Sequence, residues 1–586
     1  MNLKTIIDQL MKTNTKLAVA SLMLAAVLNA AAQVASNVTF TRITTGAIVT
    51  DSAYSFGCAW GDYDGDGFLD LIVGNGLGDA NALYHNNGDG TFTRTTNNAI
   101  TTTIGDASGV TWGDYDNDGR LDLFVANWQI PSFLFRNLGG GNFARITSGS
   151  IATNFANSDG CSWADYDNDG FLDLIVANNS GQNPFLYHND GSDTFSQIVS
   201  GPVATSAGFD YPAWADYDSD GRMDLLMVGG NLSSGQHVLF HNDGEGIFTR
   251  VTTPPTGSHP VGAPAWGDYD NDGDLDLFVA ERTHNVADLL YRNDGGGVFT
   301  PITTGPLPNS GGSSQQCLWG DYDNDGWLDL FVINTVGQLP FLFHNDGGGS
   351  FTRITQGALV NLAGTNIGGA NWADYDNDGF LDLFVARGVD AVRTSNVLFH
   401  NDGNSNKWLQ VVCAGRASNR LGIGAKVRAR ALIAGTSRWQ LRDISSGDGF
   451  QSCRLRAHFG LGDATNVDLI RIEWPSGIVQ ELRNVAVNQI LTVTEPPRLE
   501  AVGRQPDGSL QLRLTGGVGF EYTLETSSDL VTWTQWGTVE NIDRTILVVD
   551  SSTTNVTTRF YRAVAFCDCA NAPNPRLCWI FCSGFQ

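Results

Sequence analysis

Positive charge is scarce in this chain of 586 residues: Lys and Arg total 34 against 62 Asp and Glu, for a net charge of −28. No basic run resembles a nucleic-acid footprint, which argues against a polyanion partner. Charged residues of either sign make up only 16%, while glycine reaches 69, a balance that suits an all-β chain with many tight turns better than a helical one. Signatures of common hydrolytic sites are also missing. The chain has no G-x-S-x-G and no H-E-x-x-H, and no Ser or Cys is set beside a recurring His within a repeat. Its long apolar run, Leu17 to Ala32, is short for a membrane span of ~20 residues.

That run follows Lys4, Lys12 and Lys16 and ends Ala30-Ala31-Ala32 before Gln33, the order of a secretory signal peptide covering 1–32. Met11 is an alternative start, and a retained anchor is the alternative reading. No Cys follows the cleavage point, so a lipoprotein is not indicated. The expected product is exported, secreted or held at the cell surface or periplasm, with no stable membrane span. Outside the cell, millimolar Ca2+ makes even weak sites useful.

What the chain does have is one pattern, seen in Trp112 to Leu123, WGDYDNDGRLDL. Asp114, Asp116, Asp118 and Asp122 surround Gly119 as D-x-D-x-D-G-x-x-D. A hard cation such as Ca2+ takes six to eight oxygens, and so short a loop supplies most of them only by curling sharply at the glycine. Two carboxylates about 4 Å apart repel by ~1 kcal/mol in water and by up to ~4 when semi-buried, so four together call for a cation. The pattern recurs at Asp62, Asp64, Asp66 and Asp70; at Asp165, Asp167, Asp169 and Asp173; and at Asp216, Asp218, Asp220 and Asp224. It returns at Asp268, Asp270, Asp272 and Asp276; at Asp321, Asp323, Asp325 and Asp329; and at Asp374, Asp376, Asp378 and Asp382. Every copy keeps a Tyr at the second place and a Trp two residues before the first Asp. Up to seven Ca2+ ions are expected, and they would offset half of the formal charge excess.

The copies are spaced by 51 to 53 residues, and each period reads as four strands. In the third, Cys161 to Asp165 leads into the loop, Leu172 to Asn178 is an apolar run buried on both faces, and Phe185 to His188 and Phe195 to Ile198 follow. Four strands per period of this length read as a blade of a β-propeller. The fourth-strand pattern starts at Phe40, Phe92, Phe143, Phe195, Phe248, Phe299 and Phe351, so its first copy precedes the first loop and none follows the last. The strand from Phe40 to Thr44 is therefore expected to complete the seventh blade and close a ring, removing an exposed edge. A linear solenoid is the alternative.

The recurrent His85, His188, His241, His344 and His400 share their place with Arg136 and Arg292. They read as polar residues before a turn rather than as ligands or bases. Cys58, Cys161 and Cys317 stand two residues before the repeat Trp, where other copies have small apolar residues, and read as buried thiols. Cys413 and Cys453 are candidates for a pair. Cys567, Cys569, Cys578 and Cys582 allow three disulfide connectivities, a zinc site being the weaker option.

These loops within β repeats, with Gly262-Ala263-Pro264 just before Trp266, resemble the FG-GAP/VCBS repeats of integrin α-chain propellers. The resemblance covers about 38–404 and implies a seven-bladed β-propeller with Ca2+ held in loops on one face. After Lys407 the period is lost. Lys407-Trp408-Leu409, Asn419-Arg420-Leu421-Gly422, Leu455 to Gly462 and Trp474-Pro475-Ser476-Gly477 are similar, in that order, to the ASPIC/UnbV domain, which implies a small β domain at 405–495. His458 there reads as a packed aromatic. Pro496-Pro497 reads as a stiff linker to an Ig-like or fibronectin-like β-sandwich module at 498–566, and 567–586 is a Cys-rich tail.

Together these features predict a non-catalytic, calcium-binding scaffold for adhesion or for binding an extracellular protein or polysaccharide. A carbohydrate-active enzyme of the lyase type, or a lectin, is the second reading. Its candidates are residues that break the repeat after the second strand: Trp128, Arg282, His284, Arg387 and Arg393.

Overall fold

The computed structural model describes residues 38–565 apart from 192, 230–236, 254–260, 284–285, 336, 363–366, 389–391, 448–453 and 554–558. The expected signal segment, Cys453, His284 and the four tail cysteines lie outside the described residues. The architecture is all-β and propeller-like. Among the described residues no helix is long and apolar enough to cross a membrane.

Each repeat forms a four-stranded antiparallel unit. The first comprises Ser55–Gly61, Asp70–Asn75, Ala82–Asn86 and Phe92–Thr95, paired in chain order. The later units open with Ala107–Gly113, Phe155–Ala164, Tyr211–Ala215, Val261–Gly267, Ser314–Gly320 and Ile367–Ala373. The last unit takes its outer strand from the start of the chain: Phe40–Ile43 pairs with Val397–Asn401, with Thr41 opposite His400. The second strands are buried along their length, as in Asp173–Asn178, which explains their unbroken apolar runs.

Two local features depart from the sequence expectation. The first strand of the third repeat is longer than the five residues read for it, spanning Phe155–Ala164, because its start pairs with Trp128 to Pro131 of the preceding unit and joins the two sheets. Short helical turns, Ala47–Thr50, Ala99–Thr102 and Ser150–Thr153, fill three of the connections between units. The second of these is capped by Asn98, whose side chain accepts the Thr101 N–H.

Neighbouring units are fastened by one repeated contact. An Asn at or near the end of each third strand donates its side-chain amide to the carbonyl of the loop Tyr in the preceding unit. The pairs are Asn137 to Tyr63, Asn189 to Tyr115, Asn242 to Tyr166, Asn293 to Tyr217, Asn345 to Tyr269 and Asn401 to Tyr322, at 2.7 or 2.8 Å. Asn86 donates to Tyr375 across the junction between last and first units at 2.7 Å, so the series returns to its start. The rings of Tyr63, Tyr166, Tyr217, Tyr269 and Tyr375 stack on the Trp of the next unit, as in Tyr166 on Trp214 with 12° between planes. Cys58, Cys161 and Cys317 are buried thiols in this packing, and Cys413 is a buried thiol in the following domain.

After the ring come two small β regions. In the first, Lys407–Ala414 lies between Arg456–Gly462 and Ile490–Thr494, beside a four-stranded sheet containing Lys426–Ile433 and Asn466–Glu473. Leu409, Val427, Phe459 and Ile470 pack in its core. The Pro-Pro segment beyond it is buried rather than a free spacer. The carboxylate of Glu495 just before it accepts the N–H groups of Arg416, Ala417 and Ser418 at 2.7–2.8 Å. The second region has two three-stranded sheets, containing Leu510–Thr515 and Glu521–Ser527 as middle strands, packed through Leu512, Leu514, Tyr522 and Leu524.

Candidate metal centre

Each acidic loop links the first and second strands of its unit. In the loop of Asp114, the first carboxylate accepts the N–H groups of Asp118 and Gly119 at 3.0 and 2.8 Å, which closes the curl. Asp118 accepts the Arg120 N–H at 2.9 Å. Asp122 is tied on both oxygens, by Tyr115 N–H at 3.2 Å and by Asn137 N–H at 2.7 Å. The backbone is left-handed at the fourth place, with φ near 60° at Asn117, Asn168, Asn271, Asn324 and Asn377, a conformation that Asn tolerates better than most side chains.

Those Asn side chains also link loop to loop. Asn117 donates to Gly170 O, Asn168 to Gly221 O, Asn271 to Gly326 O, Asn324 to Gly379 O and Asn377 to Gly67 O, at 2.9–3.1 Å. Gly65 and Ser219 hold the fourth place in the two remaining loops. Each loop is thus placed by its neighbours as well as by its own sheet.

The electrostatics are those of buried, clustered acids. Burial pushes Asp122 up to about 9, with the charges of Asp116 and Asp114 adding to the shift and the Asn137 N–H opposing it. Burial likewise pushes Asp70 up to about 8 and Asp224 to about 9. Orphaned atoms test the fit to a cation directly: both carboxylate oxygens of Asp268 and Oδ1 of Asp323 are buried and have no hydrogen-bond partner. Oxygen donors of this density, several of them unsatisfied, fit a divalent ion.

The histidines require a correction. They are not incidental polar residues before a turn, because the third strand carries them against the loop. His85 Nδ1 lies 3.1 Å from Asp64 Oδ2 and 3.2 Å from Asp70 Oδ1. His188, His241 and His400 repeat this geometry at 3.1–3.4 Å. Hydrogen bonding to Asp173 raises His188 to about 9, and Asp382 does the same for His400. His344 differs, directing Nε2 at Asp323 Oδ2 at 3.0 Å. In the two Arg-bearing units, Arg136 reaches Asp116 at 2.6 Å, whereas Arg292 turns to Asp294. The signal that could have found them was a basic residue in every copy after the ninth-place Asp, 15 residues on for His85 and His188 and 18 for His400.

The chain after the ring covers the loop face and touches every loop. Arg456 donates to Gly67 O and Asn377 Oδ1 at 2.9 and 2.8 Å. Arg420 N–H donates to Asn117 Oδ1 at 3.0 Å, and Arg544 reaches Asn168 O. Lys426 Nζ lies 2.9 Å from Asp216 Oδ2 and 2.8 Å from Ser219 Oγ. Arg428 donates to Gly273 O, and Gly462 N–H to Asn324 O, both at 2.8 Å. In the last loop Gln410 binds Asp374, and His458 Nε2 meets Gly379 O at 3.1 Å. Burial lowers His458 to about 4, so it packs as a neutral ring. A cavity of about 100 Å³ remains between ring and cap, walled by Trp60, Trp319 and Trp372 on one side and Arg442, Arg456 and His458 on the other.

The residues proposed for a catalytic centre have separate local partners. Arg393 pairs with Asp79 at 2.5 Å and lies over the Tyr54 ring. Arg282 has its charge near Asp159 and Tyr211. Trp128 pairs in register with Asn157, and Arg387 stands near Arg42.

Comparison with known proteins agrees with the repeat. A family model described as FG-GAP-like repeat matches 62–125, 124–176, 165–227, 216–279, 268–332 and 321–385. One described as ASPIC and UnbV matches 415–500. The chain is similar to cartilage acidic protein 1 of Homo sapiens, 26% identical over 519 residues, which are 78% of this chain and 75% of that protein. It is 24% identical to the Mus musculus protein of the same name, over 78% of this chain and 77% of that one. A solved structure of an Agrocybe aegerita lectin, described as recognising non-reducing terminal N-acetylglucosamine, aligns with TM-score 0.37 and 20% identity over 54% of this chain and 81% of that one. A likeness that low carries no argument about ligands.

Proposed function

The chain belongs to the FG-GAP repeat family and carries an ASPIC/UnbV domain, and from that premise we propose that it is an exported, calcium-held binding scaffold. The ring is read as a seven-bladed propeller, the region at 405–495 as a cap over its metal face, and 498–566 as an appended β-sandwich module. The first, third, fifth and ninth carboxylates of each loop would hold Ca2+, which supplies the charge that lets four acids share one curl. The observation that carries this reading is the unsatisfied, buried oxygens of Asp268 and Asp323 within a donor set repeated around the ring.

The cap occupies the loop face, so the opposite face is the one offered to a partner, an extracellular protein or polysaccharide. Its charged groups differ from unit to unit, as recognition of an irregular ligand requires. The scaffold is proposed to be non-catalytic, because loop carboxylates held ionised by a cation make poor general acids. The test is calorimetric titration of Ca2+ into chelated protein, followed by thermal unfolding. Binding with a raised midpoint is expected; an unchanged midpoint overturns the calcium reading.

A further inference from the structure

On the face away from the acidic loops, the seam where the last unit meets the first holds a polar cavity of about 110 Å³. A short strand pair, Ser52–Ala53 with Thr394–Ser395, closes the seam beside it. Two buried lining residues are settled between themselves and the backbone: Ser55 Oγ donates to Asn75 Oδ1 at 2.9 Å, and Asn75 Nδ2 donates to Ala80 O at 2.8 Å. Two others keep a free valence. Tyr84 OH and Arg94 both donate to Asp51 Oδ2, at 2.9 and 3.0 Å, and among the described residues Asp51 Oδ1 accepts no hydrogen bond. Asn396 is only 4% exposed, and its oxygen accepts the Arg387 N–H at 2.9 Å, while its Nδ2 donates to no described residue. The cavity is thus lined by an open carboxylate oxygen and by an open amide donor.

The corresponding places in the next two units are closed. Thr103 and Asn154 follow helical turns as Asp51 does. Thr103 Oγ1 turns back to Ala99 O at 2.7 Å, and Arg145, at the place of Arg94, lies over the Phe133 ring at 4.0 Å. Asn154 donates its amide to Tyr187 OH and Gln197 Oε1, both at 2.9 Å. Of the three units, only the first leaves a carboxylate oxygen open.

A ligand here has to donate to Asp51 and accept from Asn396, and a hydroxyl group does both. The volume is that of about three or four waters at ~30 Å³ each, which suits the hydroxyl-bearing edge of one sugar ring. A protein partner would bring an aromatic or aliphatic anchor, whereas the apolar part of this lining is alanine, at Ala53, Ala80 and Ala82. Charge selects among sugars. Asp51 and Asp79 are already answered by Arg94 and Arg393, so a uronate or a sulfate would meet an open carboxylate oxygen and no surplus of positive charge. We propose that this seam binds one neutral hexose residue of a polysaccharide, its hydroxyls held by Asp51, Arg94 and Asn396. The inference rests on the reading of this face as the one offered to a partner, and it names the class of partner.

The test is electrophoresis of the full chain in Ca2+ through native gels containing a soluble β-glucan, a mannan, a galactan or polygalacturonate. Retardation by at least one of the three neutral polymers is expected, with polygalacturonate inert. D51N and N396D, the second of which keeps the acceptor for Arg387, should each raise the apparent Kd about 10-fold or more, the scale of one lost hydrogen bond in a charged network. Both should keep the Ca2+-dependent rise in unfolding midpoint, which shows that they fold. T103A, at the corresponding place in the second unit, should bind as the wild-type chain does. Neutral-polymer binding that survives both D51N and N396D overturns the site, as does retardation by none of the neutral polymers or by polygalacturonate alone. The partner-face reading is judged separately: capture on a protein array that is lost in R393A keeps that reading while this one falls, and no capture on protein or glycan arrays overturns both.

Discussion

The two faces of the ring follow opposite rules. On the loop face each unit presents the same acids, the same tyrosine carbonyl and a basic residue from the third strand, and one domain covers them all. On the other face the units agree only in part: Ser55, Ser158 and Ser314 each donate to the Asn that ends the second strand, at 2.8–3.2 Å, while the charged groups differ. Arg393 reaches across to Asp79 at 2.5 Å, and Asp159 is held by Asn179 at 2.9 Å with the charge of Arg282 nearby. Asp288 accepts from Ser310 and Ser314 at 2.5 and 3.2 Å beside Glu281, whose burial pushes it up to about 8. Positions that repeat are spent on making the ring, and positions that vary are free to discriminate.

Removing divalent ions should break that contrast most severely, because it strikes all repeated sites at once. Each loop contributes ~2.7 kcal/mol when the free ion is 100 times its Kd, so chelation should cost more than any substitution considered below. The loss should depend on pH. Asp70, Asp122 and Asp224 have folded values of about 8, 9 and 9, raised above an unfolded value near ~3.9. In chelated protein their contribution is fully present below pH ~4 and is lost as pH rises toward about 9. Ca2+ needs the ionised carboxylates, so its binding near neutral pH should release protons. Scanning calorimetry with and without chelator from pH 5 to 9, together with proton release in weak buffer, checks both signs.

The next effect falls where cap meets ring. Lys426 and Asp216 form a pair at 2.9 Å whose side chains are 5% and 8% exposed. Removing one partner of such a buried pair strands the other charge, at ~3–5 kcal/mol. Lys426→Met should therefore lower stability by that amount in chelator and by less in Ca2+, where the ion compensates Asp216. Equal losses in both conditions would show that the cap and the loop are energetically separate.

What the sequence revealed, and what it hid, divides along the same line. The loops, their period and the strand runs were legible because each is written in a few adjacent residues: Gly119 next to Asp118, or the apolar run from Leu172. The pairing of Phe40–Ile43 with Val397–Asn401 was legible only because counting fourth-strand copies left one stray at the start. The histidines were misread because their loop partners lie 15 to 18 residues earlier, as for His85 and His400, and period alone does not say which way a side chain turns. Lys426 was invisible, since its partner is remote in sequence and nothing local marks it. The cap's cations became readable only once the chain after the ring was seen lying on the loop face.

A smaller loss is expected from one link of the circle that fastens the units. Asn242 donates to Tyr166 O and Met223 O at 2.7 and 3.0 Å, and its own oxygen accepts Gly244 N–H at 3.0 Å. Asn242→Ala removes all three bonds, and at about 1 kcal/mol net for each it should cost about 3 kcal/mol in denaturant unfolding. The equivalent change at Asn86 should cost a similar amount even though its partner, Tyr375, lies at the far end of the ring. A much smaller loss at Asn86 would mean that the junction between last and first units is looser than the others.

The smallest effect belongs to the variable face, and it sharpens the contrast by its size. Arg393 is 57% exposed where it pairs with Asp79, and exposed ion pairs contribute at most about 1 kcal/mol. Its stacking over Tyr54, at 5.3 Å from the ring centroid, adds about 0.5–1 kcal/mol at an exposed site. Arg393→Ala should thus leave the unfolding midpoint nearly unchanged and should not alter Ca2+ binding, since Arg393 lies away from the loops. If this face is the one that meets a partner, the same substitution should change binding on a glycan and protein array while the stability curve stays put. A variant that loses stability without changing any binding would place Arg393 with the repeated, structural positions and erase the difference between the two faces.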